Sequence, residues 1–202
     1  ISKIFSRDDV KFEIFKKLQK SGALTKAIIT KKTNDKPRSF FDNIDQWAKD
    51  QGWNGLAYFS IEKDGKGKLI GKGPVGKFFS EEALKKIMKI TSAELGDSVF
   101  MSCSKDNEVY EIMSKSRNKI AEDLNIIDQN SFAFCWITDF PIFELDQETS
   151  KIKFSHNPFS MPQGDPNNID FSQPLELKAY QYDIVCNGVE LSSGAIRNHI
   201  PE

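Results

Sequence analysis

Asp183, Glu190 and Arg197 recur at intervals of seven residues near the C-terminal end of a 202-residue chain. Two carboxylates close together on one strand face are costly unless a cation or hydrogen-bond donors answer them. An arginine nearby offers five donors in a planar fork that fits a carboxylate or a phosphate at two points. Only four of the 28 basic residues are arginines (Arg7, Arg38, Arg117 and Arg197), so this lysine-rich sequence keeps a guanidinium where two-point recognition has a use. His156 stands at the base of a polar, aperiodic stretch running to Phe171, and it suits either a core edge or a substrate ligand. The competing reading of the three charges is a surface hairpin whose charges are simply solvated.

Positioning these groups falls to Tyr182–His199, YDIVCNGVELSSGAIRNH. Two alternating runs flank Asn187-Gly188, the dipeptide best suited to a two-residue hairpin turn with φ > 0 at both positions. The turn predicts that Cys186 opposes Val189, Val185 opposes Glu190, Ile184 opposes Leu191 and Asp183 opposes Ser192. Asp183 and Glu190 then share a face. Strict alternation puts Arg197 opposite in facing to Glu190, and a bulge at Ser192-Ser193-Gly194 would return it to the carboxylate face.

That segment resembles the catalytic domain of bacterial-type aspartyl-tRNA synthetases, class II aminoacyl-tRNA ligases. The family commonly reads YD-x-V-x-NG-x-E, then a Gly-rich patch and S-x-R-x-H. WITDFPIFE at 136–144 and SHNPFSMP at 155–162 match two further segments of that family in order. Departures are Ser192-Ser193-Gly194-Ala195, where Gly-Gly-Gly-Ser is usual, and His156-Asn157 in place of a frequent His-His pair. The resemblance implies that Glu190 serves ATP and its Mg2+, with Asp183 supporting from the same face. It also implies that Arg197 takes the side-chain carboxylate of aspartate and that His156 contacts the aspartate substrate.

Charge divides the chain. Residues 1–128 hold 24 basic against 19 acidic residues, whereas 129–202 hold 4 against 10, for a net −1 overall. A boundary is therefore placed near Asp128. The basic residues of the first part are interleaved with acids, the pattern of solvated helix faces more than of a massed nucleic-acid patch. Hydrophobic residues at 39 % and 16 Phe suffice for real cores. No apolar run approaches the ~20 residues of a membrane span, and the opening residues lack the apolar core of a signal peptide. Cys103, Cys135 and Cys186 are odd in number and widely spaced, and there are only two histidines, so neither a disulfide framework nor a zinc site is expected. A reduced, cytoplasmic setting follows.

Within 1–128, periodicity predicts helices over 10–19, from Ser39 to Asp50, from Ser80 onward and over 107–124. Strands are predicted over 24–31, 56–62, 68–71 and 99–103. The mixture indicates an α+β fold with a largely antiparallel sheet. Gly73-Pro74-Val75-Gly76-Lys77 lacks the Gly-Lys-Ser/Thr ending of a phosphate-binding loop and reads as a structural turn. With the Ser-Glu-Glu helix start after it and Gly96-Asp97 before a strand, it resembles the insertion (GAD-like) domain of the same enzymes. Related domains occur in an archaeal tRNA-dependent amidotransferase subunit. A frequent Gly-Ala-x-Arg is present only loosely, as Met113-Ser114-Lys115-Ser116-Arg117. Beyond the boundary, Phe132–Thr138 reads as a strand buried on both faces, followed by strands at 142–145 and 152–154.

The resemblance thus implies an insertion domain at 1–128 followed by part of a class II catalytic domain at 129–202. The parent would be an aspartate–tRNA ligase using ATP, Mg2+, aspartate and tRNA. It would be a homodimer without a membrane partner, and this stretch alone would be inactive. The alternative is a non-catalytic tRNA-contacting or assembly module. Such a module has no use for NGVELSSGAIR.

Overall fold

The computed structural model describes residues 1–146, 148–165 and 168–199. The chain separates into two compact units, Ile1–Ile127 and Asp128–Glu202.

The first unit is a four-stranded antiparallel sheet with helices on both faces. Its elements are α1 (Glu13–Lys20), β1 (Leu24–Thr30), α2 (Arg38–Asp50), β2 (Ala57–Lys63), β3 (Leu69–Lys72), α3 (Glu81–Thr91), β4 (Ser98–Ser104) and α4 (Asp106–Asp123). Strand order is β1-β4-β2-β3. Alternation along the strands sends successive side chains into two separate cores. Phe59, Ile61, Val99 and Met101 pack with Phe15 of α1 and Ala83, Leu84 and Ile87 of α3. Tyr58 and Phe100 pack with Phe41, Ile44 and Ala48 of α2 and Val109, Ile112 and Ile120 of α4. Each fully buried large side chain contributes on the order of 1.5–3 kcal/mol, so this unit is well provided for.

Helix starts follow local chemistry. Ser80 caps α3 by accepting from the Ala83 N–H at 3.0 Å, and its hydroxyl donates to Asp9. The helix expected from Ser39 starts one residue earlier, at Arg38, with Pro37 and not a serine hydroxyl as its N-cap residue and no side-chain cap bond. The proline ring fixes φ at −63°, which orients the first turn without a hydroxyl.

The second unit holds β5 (Phe134–Ile137), β6 (Phe140–Pro141), β7 (Phe143–Leu145), β8 (Ile152–Phe154), β9 (Lys178–Ala179), β10 (Gln181–Cys186) and β11 (Val189–Ala195). A three-stranded antiparallel sheet runs β11-β10-β5, with β6 paired to β9 and β7 to β8. Burial on both faces of β5 is overturned. Phe134 and Trp136 are 61 % and 63 % exposed, because β5 lies at the edge of this sheet and no helix among the described residues covers it. Apolar composition reports what a strand could bury; burial itself needs a partner layer.

Candidate functional site

The hairpin turns at Asn187-Gly188, with φ of 50° and 83°. Cys186 opposes Val189 and Val185 opposes Glu190, as the turn predicts. Beyond this point the ladder departs from the expected register. A bulge sets in at once, so Ile184 opposes Ser192, Asp183 opposes Ser193 and Tyr182 opposes Gly194. Leu191 is the extra residue, and it is 56 % exposed. The predicted pairs Ile184–Leu191 and Asp183–Ser192 do not form. On an open strand rich in Ser and Gly, no apolar pattern fixes the register, so the bulge position is weakly encoded.

Asp183 and Glu190 nonetheless share a face. Asp183 and Val185 lie two apart on β10, and Glu190 opposes Val185. On its other side β10 pairs with β5, where Asp183 opposes Ile137. This central placement half-buries Asp183, and its Oδ1 is buried with no hydrogen-bond partner among the described residues. Glu190 is exposed on β11. Among the described residues no group of three or more His, Cys, Asp or Glu side chains is gathered for a metal ion.

Arg197 leaves the hairpin. The Ile196 N–H still bonds the Tyr180 carbonyl at 2.9 Å, but Arg197 pairs with Ser160 on the loop that follows β8. The Met161 N–H bonds the Ile196 carbonyl and the Asn198 N–H bonds the Phe159 carbonyl, both at 2.8 Å. The guanidinium carbon lies 3.9 Å from the centre of the Phe159 ring. No carboxylate among the described residues forms an ion pair with it; neither Asp183 nor Glu190 does so. His156, three residues before Phe159, is exposed and stands edge-on to Phe140 at 5.1 Å and 90°.

The stretch 156–171, predicted as an aperiodic loop, is tied down in its first half. The Tyr180 N–H bonds the Met161 carbonyl at 2.9 Å, and the Gln163 N–H bonds the Lys178 carbonyl at 2.8 Å. Gln163 also reaches across with its amide to Asp139 Oδ1 at 2.9 Å and to the Ala179 carbonyl at 3.0 Å. That amide bond holds the Asp139 carboxyl below its ordinary value. Sequence reasoning missed Gln163, Asp139 and Phe159. Their contacts join segments distant in sequence, and only the motif SHNPFSMP marked that Phe159 belonged near the site.

A cleft of about 650 Å³ lies on this unit, lined by Trp136, Tyr182, Ile184, Ser192 and Gly194 among others. It holds none of the four candidate residues. Trp136 opposes Ile184, so the cleft follows the sheet face that carries Ile184 and Ser192, opposite the face of Asp183 and Glu190. The cleft is thus a mainly apolar sheet surface, separate from the carboxylate face and the Arg197 loop.

Comparison with known proteins supplies the context. The sequence profile described as tRNA synthetases class II (D, K and N) matches residues 4–202. The chain is 66 % identical over 202 residues to the aspartate–tRNA(Asp/Asn) ligase of Pelagibacter ubique, covering all of this chain and 34 % of that protein. It is 45 % identical over 194 residues to the ligase of the same name from Gluconobacter oxydans, covering 96 % of this chain and 32 % of that protein. For the Wolbachia pipientis ligase the identity is 47 % over 192 residues, covering 95 % of this chain and 31 % of that protein. The chain thus spans about a third of the length of the curated relatives it matches.

Proposed function

The chain belongs to the class II tRNA synthetases of the D, K and N group, and from that premise we propose that it is a segment of an aspartate–tRNA ligase. The parent activates aspartate with ATP and passes it to tRNA. Residues 1–128 serve as its insertion domain and 129–202 as part of its catalytic domain. Its relatives' shared name, with both Asp and Asn tRNA in it, supports a parent that charges both. We assign the parent to the cytoplasm as a homodimer. Among the described residues no helix is long and apolar enough to cross a membrane.

One observation carries the site reading: Asp183 and Arg197 carry opposite charges in one small unit and do not pair. An unpartnered buried carboxylate oxygen is costly unless a donor or ligand completes it, and the exposed Arg197 guanidinium is open to a substrate carboxylate. We assign Arg197 to the substrate's side-chain carboxylate, with His156 contacting the same substrate. Asp183 and Glu190 are assigned to the ATP side. Asp183 and Glu190, two carboxylates on one sheet face, would offer oxygen donors to a hard cation such as Mg2+ bound jointly with phosphate oxygens. When bound, Mg2+ neutralises phosphate charge.

In the activating step, a substrate carboxylate oxygen attacks the α-phosphate and pyrophosphate leaves. Such a displacement asks little covalent help from the protein and much positioning and charge balance. This unit supplies a fixed guanidinium for one end of aspartate and two acceptors for the nucleotide end. Aspartate-dependent ATP–pyrophosphate exchange by the full-length parent tests the reading. Exchange driven by lysine or asparagine instead would overturn it. The chain by itself is expected to show no exchange, because it spans a third of its relatives' length and differential transition-state binding needs the whole constellation.

A further inference from the structure

Phe159 is 39 % exposed, and none of the described aromatic ring pairs includes it. Its ring face carries the Arg197 guanidinium at 3.9 Å. The contact is not a chance meeting of two loose side chains. Segments 159–161 and 196–198 run antiparallel, joined by the Phe159–Asn198 and Met161–Ile196 backbone bonds, both 2.8 Å, with Ser160 opposite Arg197 between them. That places Ser160 and Arg197 in a non-hydrogen-bonded antiparallel pair, the type whose side chains lie closer. Ser160 itself is buried. The backbone at both ends of the contact is therefore fixed before any ligand arrives.

We propose that Phe159 is a positioning residue that holds the Arg197 guanidinium for two-point binding of the substrate carboxylate. The inference rests on the assignment of Arg197 to aspartate made above. A guanidinium lying flat on a ring uses only its face and keeps all of its N–H donors, which lie in its plane. The ring keeps water from one face and restricts the rotamers of a long side chain. Less ordering remains to be done when aspartate binds. A cation over an aromatic face is also attracted by the ring quadrupole, more strongly as the site is desolvated. His156 lies three residues earlier on the same loop, so one loop would present both aspartate contacts.

The test uses full-length ligase and exchange kinetics with each substrate varied. Phe159→Leu keeps an apolar side chain and removes the ring face. It should raise the KM for aspartate about five- to thirtyfold, with the KM for ATP within about twofold of wild type. Phe159→Met provides a second probe with the same expectation. Phe159→Tyr and Phe159→Trp keep a ring face and should stay within about threefold of wild type for aspartate. In an Arg197→Ala background, adding Phe159→Leu should cost less than about twofold, since the partner is already gone. Equal loss for both substrates, failure of Tyr and Trp to rescue, or full additivity with Arg197→Ala would each overturn the inference. Arg197→Ala alone separates the two levels. If it spares aspartate, the assignment of Arg197 falls; if it abolishes aspartate use while Phe159→Leu is silent, only the role of Phe159 falls.

Discussion

Gly76 sits against the backbone of Gly71 so closely that a Cβ built on Gly76 would lie 2.0 Å from the Gly71 carbonyl oxygen. The reverse approach is also tight, with a Gly71 Cβ 2.8 Å from the Gly76 Cα. The obstacle is main chain, so no side-chain rotation relieves it. This contact folds the Gly73-Pro74-Val75-Gly76 turn back on β3 and accounts for Gly76 without any phosphate, while Gly73 takes a φ of +133° against the backbone around Phe59. Gly76→Ala should therefore destabilise the chain by about 1–3 kcal/mol, the usual cost of overpacking. Urea titration should show a lower midpoint at unchanged slope. An unaltered midpoint would show that the turn moves away freely.

Asp97 gives a second test, through pH. Its carboxylate is fully buried and accepts from the Lys32 N–H at 3.0 Å, the Glu94 N–H at 2.8 Å and the Lys31 ammonium at 2.9 Å. Burial favours the protonated form, but the two backbone donors and Lys31 outweigh it, and the net shift is downward. Hydrogen bonds from Arg7 and Ser80 likewise hold Asp9 at about 2. A carboxylate whose folded pKa lies below its unfolded value of about 3.9 stabilises fully above that value. The contribution is lost as pH falls through the folded pKa. Urea midpoints should be flat above about pH 5 and fall between about pH 4 and 2. Asp97→Ala should cost about 1–3 kcal/mol at pH 7, because buried donors lose their acceptor. A midpoint that rises on acidification would contradict this assignment.

The two units differ sharply in what they bury. Among the described residues, the buried hydrophobics of the second unit are only Ala179 and Cys186, whereas the first unit has two aromatic-rich cores. We therefore expect limited proteolysis to degrade the second unit first and leave a resistant piece ending near Ile127. Mass spectrometry of the surviving fragments reads this directly. Preferential survival of residues 128–202 would reverse it.

Local chemistry was the most legible part of the sequence. The Ser80 cap, the Asn187-Gly188 turn and the first two hairpin pairs are dictated by residues within a few positions of one another. The α+β class follows from periodicity in the same way. Register past Val185 was not legible, because Leu191-Ser192-Ser193 has no side that must be buried. The exposure of Trp136 was hidden for the opposite reason: its strand is apolar, and what covers a strand is a property of other segments. The seat of Arg197 depends on a loop nearly forty positions away, Phe159–Met161, so no spacing within the hairpin could place it.

We expect substrate specificity to turn on Arg197. Its guanidinium lies over the Phe159 ring, its backbone is held by the bonds of its neighbours Ile196 and Asn198, and it is unpaired with any carboxylate among the described residues. Arg197→Lys keeps the positive charge but loses both the planar fork and the flat face that meets the ring. A lysine ammonium on the same backbone meets a carboxylate as a point charge, with one bond in place of two. We expect full-length ligase carrying Arg197→Lys to lose roughly 2–4 kcal/mol in kcat/KM for aspartate, the order of a charged hydrogen bond lost in a closed site. Discrimination against asparagine should fall as well. A neutral amide turned toward the fork leaves its NH2 facing donors, a mismatch that a mobile ammonium punishes less. ATP stands at the other end of the proposed site, beside Asp183 and Glu190, so its KM should change far less. Exchange kinetics with aspartate, asparagine and ATP each varied decide the matter. A variant impaired mainly for ATP, with aspartate KM and turnover preserved, would move Arg197 from the amino acid to the nucleotide.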